Sequence, residues 1–232
     1  MKTAILIPAR LSSSRLPSKM LEDVGGCSLI RSVWVKCCNA VHGDTDVFVV
    51  TDSLKIAEEI PITNVILTGT AANGTERCAL AAKRLPEYDN FINVQGDMVD
   101  FDPRILTRLK YDLELNDDPQ IVPSVVSVFS NMNDEDRANP SFVKVVRGFF
   151  GEALWFSRSL VGYGDWHMGI YGYSAAALRE YLHMDSTGLE EEVEQLEQLR
   201  WLKNGINIKL LETVMGFEIN TKEDLEKWRS IQ

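Results

Sequence analysis

Short apolar runs rich in Ile and Val alternate with amphipathic stretches through the first half of the chain. Thr3 to Ile7, Asp46 to Thr51, Val65 to Leu67 and Phe91 to Val94 read as strands. Ser28 to Val41, Ser53 to Ile60 and Thr75 to Leu85 read as helices between them. Strands with almost no polar alternation are buried on both faces, so the pattern predicts an α/β fold with a mostly parallel central sheet flanked by helices. The second half changes character. Ile121 to Phe129, Phe142 to Val146 and Leu154 to Phe156 read as strands with no helix between them, which predicts a smaller mixed β region or an inserted subdomain. Ser130 to Pro140 reads as a polar loop, Ala175 to His183 and Leu189 to Asn204 as helices, and Ile206 to Leu211 as a further strand. Asn220 and Thr221 ahead of Glu223 and Asp224 announce a last helix, about 221–230, with acids suited to its first turn. No linker, repeat or low-complexity tract interrupts the 232 residues, so a single domain is expected.

In open parallel sheets ligands sit beyond the carboxyl ends of the strands. Directly after the first strand comes a loop, Pro8 to Lys19, with the cations Arg10, Arg15 and Lys19, hydroxyls at Ser12, Ser13, Ser14 and Ser18, and no acid before Glu22. In a chain of formal net charge −10, that concentration of positive charge points to an anionic ligand. The loop can cradle a triphosphate through amides, hydroxyls and cations, and it reads equally well as a basic surface loop with ion pairs. Neither Gly-x-x-x-x-Gly-Lys-Ser/Thr nor Gly-x-Gly-x-x-Gly after a strand is present, which removes most support for kinase-type and dinucleotide-type sites.

The acidic balance argues against a nucleic-acid surface, which needs a basic stripe rather than one basic loop. No apolar run is long enough to cross a bilayer, and the first strand is too short and too soon interrupted by Pro8 to be a signal peptide. A cytoplasmic protein with no membrane partner is expected. Cys27, Cys37, Cys38 and Cys78 show no Cys-x-x-Cys spacing and read as ordinary thiols.

Asn93-Val94-Gln95-Gly96-Asp97 sets an acid at the end of a buried strand, where Gly96 lets the backbone come close to a ligand. A carboxylate there suits Mg²⁺, which takes one or two carboxylates together with phosphate oxygens and waters. Gly74-Thr75-Glu76-Arg77 opens a helix whose first amides favour an anion or a base carbonyl, and Thr75 is also an ordinary helix starter. His167, Gly169, Tyr171 and Tyr173 share one strand face, fit for a polyhydroxylated substrate or simply for the core. The acidic run Glu190, Glu191, Glu192, Glu194 and Glu197 reads as a solvated helix face.

Taken in order, these segments resemble the 3-deoxy-manno-octulosonate cytidylyltransferase family, the CMP-Kdo synthetases. The resemblance rests on Ile7 to Arg10 with Arg15-Leu16-Pro17 and Lys19, Gly74 to Arg77, Asn93 to Asp97, Asn139-Pro140 with Val143 to Val146, Phe156-Ser157-Arg158, His167 to Tyr173, and Leu196 to Arg200. It implies a nucleotide-diphospho-sugar transferase-like fold joining CTP to a 2-keto-3-deoxy sugar acid with release of pyrophosphate. By motif, Ala9, Arg10, Arg15 and Lys19 would hold the nucleotide and its phosphates, with Gly74, Thr75 and Arg77 on the cytidine side. Asp97 would hold Mg²⁺, and Arg10, Lys19 and Asp97 would carry the chemistry. Gln95, Arg158, His167, Tyr171, Glu197 and Gln198 would surround the sugar acid. The nucleotide part then covers about 1–115 and the sugar and interface part about 120–215, and a homodimer is allowed for.

Two departures bear on the site. The family closes its core with Val-Asp-Thr, whose Asp is its second metal ligand; here the segment is Ile219-Asn220-Thr221. Asn220 is then a weaker metal contact or the cap of the last helix, and Glu218, two residues earlier on the same strand face, is a candidate to supply the missing charge. The stretch between Arg158 and His167, only Ser159 to Trp166, is shorter than in the family, on the side of the sugar and the subunit interface. Besides Kdo, an amino-Kdo or a nonulosonic acid comes into question as acceptor, and so does binding of CTP or a CMP-sugar without turnover.

Overall fold

The computed structural model describes residues 1–13, 15–41, 43, 45–159, 162–185 and 188–232, without the side chains of 189 and 190. Ser14 of the basic loop, positions 160 and 161 of the short segment before His167, and the Glu190 side chain of the acidic run thus lie outside the described residues. The first half runs β1 (Thr3–Ala9), α1 (Leu29–Ala40), β2 (Thr45–Thr51), α2 (Leu54–Ala57), β3 (Val65–Leu67), α3 (Gly74–Ala82), β4 (Asn90–Val94), β5 (Met98–Asp100) and α4 (Arg104–Glu114). The second half runs β6 (Val125–Ser130), α5 (Asp134–Ala138), β7 (Lys144–Arg147), β8 (Ala153–Ser157), β9 (Asp165–Ser174) and α6 (Ala175–Tyr181). It closes with α7 (Leu189–Glu194), α8 (Leu199–Lys203), β10 (Ile208–Glu212), β11 (Phe217–Glu218) and α9 (Lys222–Ser230).

The main sheet has the order β10-β6-β9-β4-β1-β2-β3, with the β7–β8 hairpin attached to β9. β1 pairs in parallel with β2 and β4, β2 with β3, and β10 with β6. β9 runs antiparallel to both β4 and β6, so the second half extends the same sheet. That one reversed strand positions the site: Val94 at the end of β4 faces Ile170 in the middle of β9, which brings His167 and Gly169 beside Gln95 to Asp97.

Alternate residues of β1 serve two apolar layers. Ile5 and Ile7 pack with Val33 of α1, Leu109 of α4 and Leu225 of α9. Ala4 and Leu6 pack with Cys78 of α3, Tyr181 of α6 and Trp201 of α8. Each of the buried Ile, Leu and Val side chains among these stabilises the fold by about 1.5–3 kcal/mol.

Several expected elements change, each for a local reason. The β6 strand begins at Val125 rather than Ile121, because Pro123 has no N–H and the amides of Ile121 and Val122 turn back to the carbonyl of Asp118. The polar loop after β6 contains α5, capped by Asn133, whose side chain accepts from the Asp136 amide at 2.7 Å. The helix expected over Ser53 to Ile60 is only the short α2. The expected elements leave 101–120 blank, yet Ile105, Leu106, Leu109 and Leu113 repeat at helical spacing and form the buried stripe of α4. The single helix expected over Leu189 to Asn204 is broken: α7 ends at Gln195, whose backbone is left-handed at φ +54°, and α8 starts four residues later. Finally, β5 and β11 form a small antiparallel pair, extended by the Ile219 amide donating to the Asp97 carbonyl at 3.0 Å. This pair returns the end of the chain to the end of β4.

Candidate active site

Two adjoining cavities open beyond the carboxyl ends of β1 and β4. The larger, about 860 Å³, is walled by the basic loop on one side and by Gly74 and Arg77 of α3 on the other. The smaller, about 210 Å³, is walled by His167, Gly169 and Tyr171 of β9 and by Gln198, Glu218 and Asn220. Arg15, Gln95, Asp97, Arg158, Gln195 and Glu197 face both.

The loop and the β4 end meet because Gly96 has no side chain: a Cβ there would lie 3.0 Å from Met20 Sδ and 3.2 Å from the Pro8 carbonyl. The meeting places the buried Lys19 with Nζ 2.6 Å from Asp97 Oδ2. Ser18, left-handed at φ +53°, turns the chain into this contact. Arg15 donates from Nη2 to Asn220 Oδ1 at 2.9 Å. Arg10 is exposed and, among the described residues, has no partner.

The last helix is capped by Thr221: its hydroxyl accepts from the Asp224 amide at 3.2 Å, and the Asp224 carboxylate takes the amides of Asn220 and Thr221. Asn220 is therefore not the cap, and its side chain stays in the wall of the smaller cavity, donating from Nδ2 to Glu218 Oε2 at 3.2 Å. Desolvation and the nearby Asp97 charge both hold the Glu218 carboxyl above the ordinary carboxylate range. Among the described residues no three His, Cys, Asp or Glu side chains are grouped to hold a metal. The oxygens of Asp97, Glu218 and Asn220 are nevertheless the hard donors that Mg²⁺ takes, and Asp97 and Glu218 are close enough for the charge of the first to raise the second. The donor set fits that ion, provided a ligand's oxygens complete its shell.

Across the cleft α3 is capped by Asn73, whose side chain accepts from the Glu76 amide at 2.8 Å. The amides of Gly74 and Thr75, expected to be open to a ligand, are instead spent on Glu197 at 2.8 and 3.0 Å, and the Thr75 hydroxyl donates to the same carboxylate at 2.7 Å. Thr75 is buried between Glu197 and the Tyr173 hydroxyl, behind the cavity wall. Arg77 is buried too, clamped by Asp52 Oδ2 and Thr68 Oγ1, both at 2.8 Å. Three residues before Glu197, Glu194 accepts from the Ser157 hydroxyl at 2.8 Å and the Arg158 amide at 2.9 Å.

On β9, the Ser127 hydroxyl donates to the Ile170 carbonyl and so accepts from His167 Nε2 at 2.9 Å, which fixes the imidazole as the neutral Nε2–H tautomer. Burial, reinforced by the charge of Arg158, holds its pKa down at about 3. Its ring touches Phe156 edge-on and leans on Tyr171, which stacks on Tyr173 at 5.6 Å. Gln95 fits beneath this face because Gly169 is bare; a Cβ there would lie 2.8 Å from its Cγ. Lys144 is buried and donates to the carbonyls of Asn139, Phe142 and Arg158 at 3.0, 2.9 and 2.6 Å, tying the Asn139-Pro140 turn to the base of Arg158. Arg158 donates to the Ser141 carbonyl at 3.1 Å.

Of the sequence-nominated residues, Ala9, Arg10, Arg15, Lys19, Gly74, Arg77, Gln95, Asp97, Arg158 and Glu197 line the larger cavity, and His167, Tyr171, Gln198 and Asn220 the smaller. Asp52, Ser127, Glu194 and Gln195 were not nominated. Asp52 follows directly on the end of β2, the same signal that singled out Asp97; Ser127 and Glu194 are recognisable only through their partners, and Gln195 only through its place in both cavities.

The α/β sheet, with a basic loop after its first strand and an acid after the fourth, is shared with solved nucleotidyltransferases of the nucleotide-sugar transferase fold. The solved structure of 4-diphosphocytidyl-2C-methyl-D-erythritol synthase from Anaerococcus prevotii shares this fold at TM-score 0.65 and 13% identity, over 99% of this chain and 97% of that one. The sequence profile of the cytidylyltransferase family matches residues 4–209. A 3-deoxy-manno-octulosonate cytidylyltransferase from Chlorobium limicola is 38% identical over 97% of this chain and 95% of its own length. The solved structure of a CMP:2-keto-3-deoxy-manno-octonic acid synthetase complexed with CTP superposes at TM-score 0.88 and 33% identity, over 100% of this chain and 98% of that one. The chain belongs to the 3-deoxy-manno-octulosonate cytidylyltransferase family.

Proposed function

We propose that this protein transfers CMP from CTP, bound in the larger cavity, to the anomeric hydroxyl of a 3-deoxy-ulosonic acid, Kdo or a close relative, bound in the smaller one, releasing pyrophosphate. The observation that carries the reading is the shared wall: with Asp97 and Arg158 facing both cavities, two ligands placed in them meet beside the Lys19–Asp97 pair. The names of the similar proteins, a cytidylyltransferase of 3-deoxy-manno-octulosonate and a synthetase complexed with CTP, support the same pair of substrates.

In this reading Arg10 and Lys19 neutralise the triphosphate, and the Ala9 backbone and Arg15 close around it. Gly74 and the clamped Arg77 shape the cytidine side, Thr75 supporting them from behind. Arg158 faces the sugar carboxylate, while Gln95, His167, Tyr171 and Gln198 surround its hydroxyls. Glu197 belongs to this wall chiefly as the anchor of α3. Mg²⁺ would be held by Asp97 with Asn220 and Glu218, and when bound it supplies charge neutralisation at the α-phosphate. The sugar hydroxyl attacks the α-phosphorus in line with the departing pyrophosphate, so the residues are asked for alignment and charge rather than for a nucleophile. The reduced thiols Cys27, Cys37, Cys38 and Cys78 agree with a cytoplasmic setting. The homodimer allowed by the family resemblance is checked by light scattering.

Glu218 in the smaller cavity favours a second acceptor, an amino-bearing relative of Kdo, whose ammonium would pair with it. Pyrophosphate release measured with CTP, UTP, ATP and GTP against Kdo, an amino-Kdo and a nonulosonic acid, with and without Mg²⁺, tests donor, acceptor and metal together. Turnover with CTP and a 3-deoxy-octulosonate is expected, abolished by chelation; silence with every such acid overturns the reading. Glu218→Gln separates the two roles of that carboxylate. A raised Mg²⁺ requirement with Kdo marks a metal role, and loss of the amino sugar alone marks recognition.

A further inference from the structure

The break between α7 and α8 carries more than a turn. Gln195 and Ser18 are the described non-glycine residues with positive φ; Gln195 lines the cleft, and Ser18 adjoins Lys19, which lines it from the other side. Left-handed backbone at the end of a helix is the natural place for glycine, because any Cβ is strained there. At this position the chain carries a long amide side chain instead. Strain of this kind is kept where the surrounding structure over-determines it, and here it does: Glu194 is fastened to Ser157 and Arg158 on one side, and Glu197 to Gly74 and Thr75 on the other. The two anchors hold residues 194–197 as a strap over the junction of the two cavities. Gln195 lines both of them, and its amide has no partner among the described residues.

We propose that Gln195 is a specificity-determining residue that reads the acceptor's hydroxyl groups at the boundary of the two cavities. The charged groups near it, Arg158, Asp97 and Glu197, already have partners or face charge on the ligands. A neutral amide that can both donate and accept is the complement of a polyhydroxylated substrate, whose hydroxyls do the same. The inference rests on the proposed function, since it takes the smaller cavity to hold the sugar acid.

Glycine separates the side chain from the turn, because Gln195→Gly removes the amide while suiting the left-handed backbone. With one neutral hydrogen bond lost, the KM for the sugar acid should rise roughly 3- to 10-fold. The KM for CTP should stay within about twofold, kcat should change little, and the melting temperature should hold or rise. Gln195→Asn, which tolerates the same backbone but is one methylene shorter, should show a similar split. Unchanged sugar-acid KM in both variants, or a CTP KM that rises as much, overturns the assignment. A wild-type protein inactive with CTP and every 3-deoxy-octulosonate takes the proposed function down and this inference with it. An active wild type beside kinetically identical variants removes the role of Gln195 alone.

Discussion

The loop wall of the cleft keeps the charges of Arg10 and Arg15 available, whereas the opposite wall, Gln195 apart, has spent most of its polar groups internally. Among the described residues, Arg10 is exposed without a partner and Arg15 holds only the amide of Asn220, while Lys19 is paired with Asp97. Opposite, His167 is committed to Ser127, Glu197 to α3, Glu194 to β8 and Lys144 to three carbonyls. A wall of unspent cations binds an anion by charge and gains most from the ligand it meets. A wall whose donors and acceptors are already paired offers shape and fixed orientation, and it loses fold stability when a member is removed. Function and stability should therefore respond differently to mutation on the two sides.

The largest effect is expected where the walls meet. Asp97→Asn should lower kcat for CMP transfer by roughly 10²- to 10⁴-fold, since the charge facing the phosphate and its metal is lost; single-turnover pyrophosphate release measures it, and a loss below tenfold would remove Asp97 from the chemistry. Next comes Glu197→Ala, which strands two helix amides and a buried hydroxyl. We expect about 3 kcal/mol of lost stability and a melting temperature lower by roughly 6–12 °C, with Glu197→Gln falling between. Arg10→Ala should do the reverse, raising the KM for CTP about 10- to 100-fold, the worth of a charge-assisted hydrogen bond, while thermal denaturation stays unchanged. If Arg10→Ala destabilises the fold and Glu197→Ala does not, the contrast between the walls fails.

The smallest effect is a pH dependence. An unfolded histidine titrates near 6.5, but His167 stays neutral in the fold down to about 3. Below about pH 6.5 the unfolded chain takes up a proton that the native chain refuses. The stability linked to this residue is therefore complete above that pH and declines as pH falls towards 3, by about 1.4 kcal/mol per unit. Urea unfolding of wild type and His167→Gln at pH 7 and pH 5 should differ in their pH response by about 2 kcal/mol; parallel responses would mean that native His167 takes up its proton as readily as it does in the unfolded chain.

Much of the first half was legible because its signals are local. The Ile and Val runs of β1, β2 and β4 and the strand-end positions of the basic loop and Asp97 follow from periodicity and turn chemistry. The second half was less so. The break at Gln195 lies inside a stretch, Leu189 to Asn204, whose composition favours helix throughout, and only the anchors at Glu194 and Glu197 show why it cannot continue. α4 went unread, although Ile105, Leu106, Leu109 and Leu113 repeat at helical spacing. The pairing of β5 with β11 joins segments more than a hundred residues apart, and neither is long enough to announce itself.

From its order of residues alone, this chain specified an α/β sheet, a cationic loop after its first strand and an acid after a later one, because each is written in a contiguous stretch. The tertiary structure alone decided how these polar groups are used. Glu197 consumes the α3 amides, Thr221 rather than Asn220 caps the last helix, and Gln195 is left facing the cleft. Which donors remain free for a ligand depends on partners brought together by an antiparallel β9 and a returning β11, and such long-range pairing is set by packing of the whole core rather than by any segment of it.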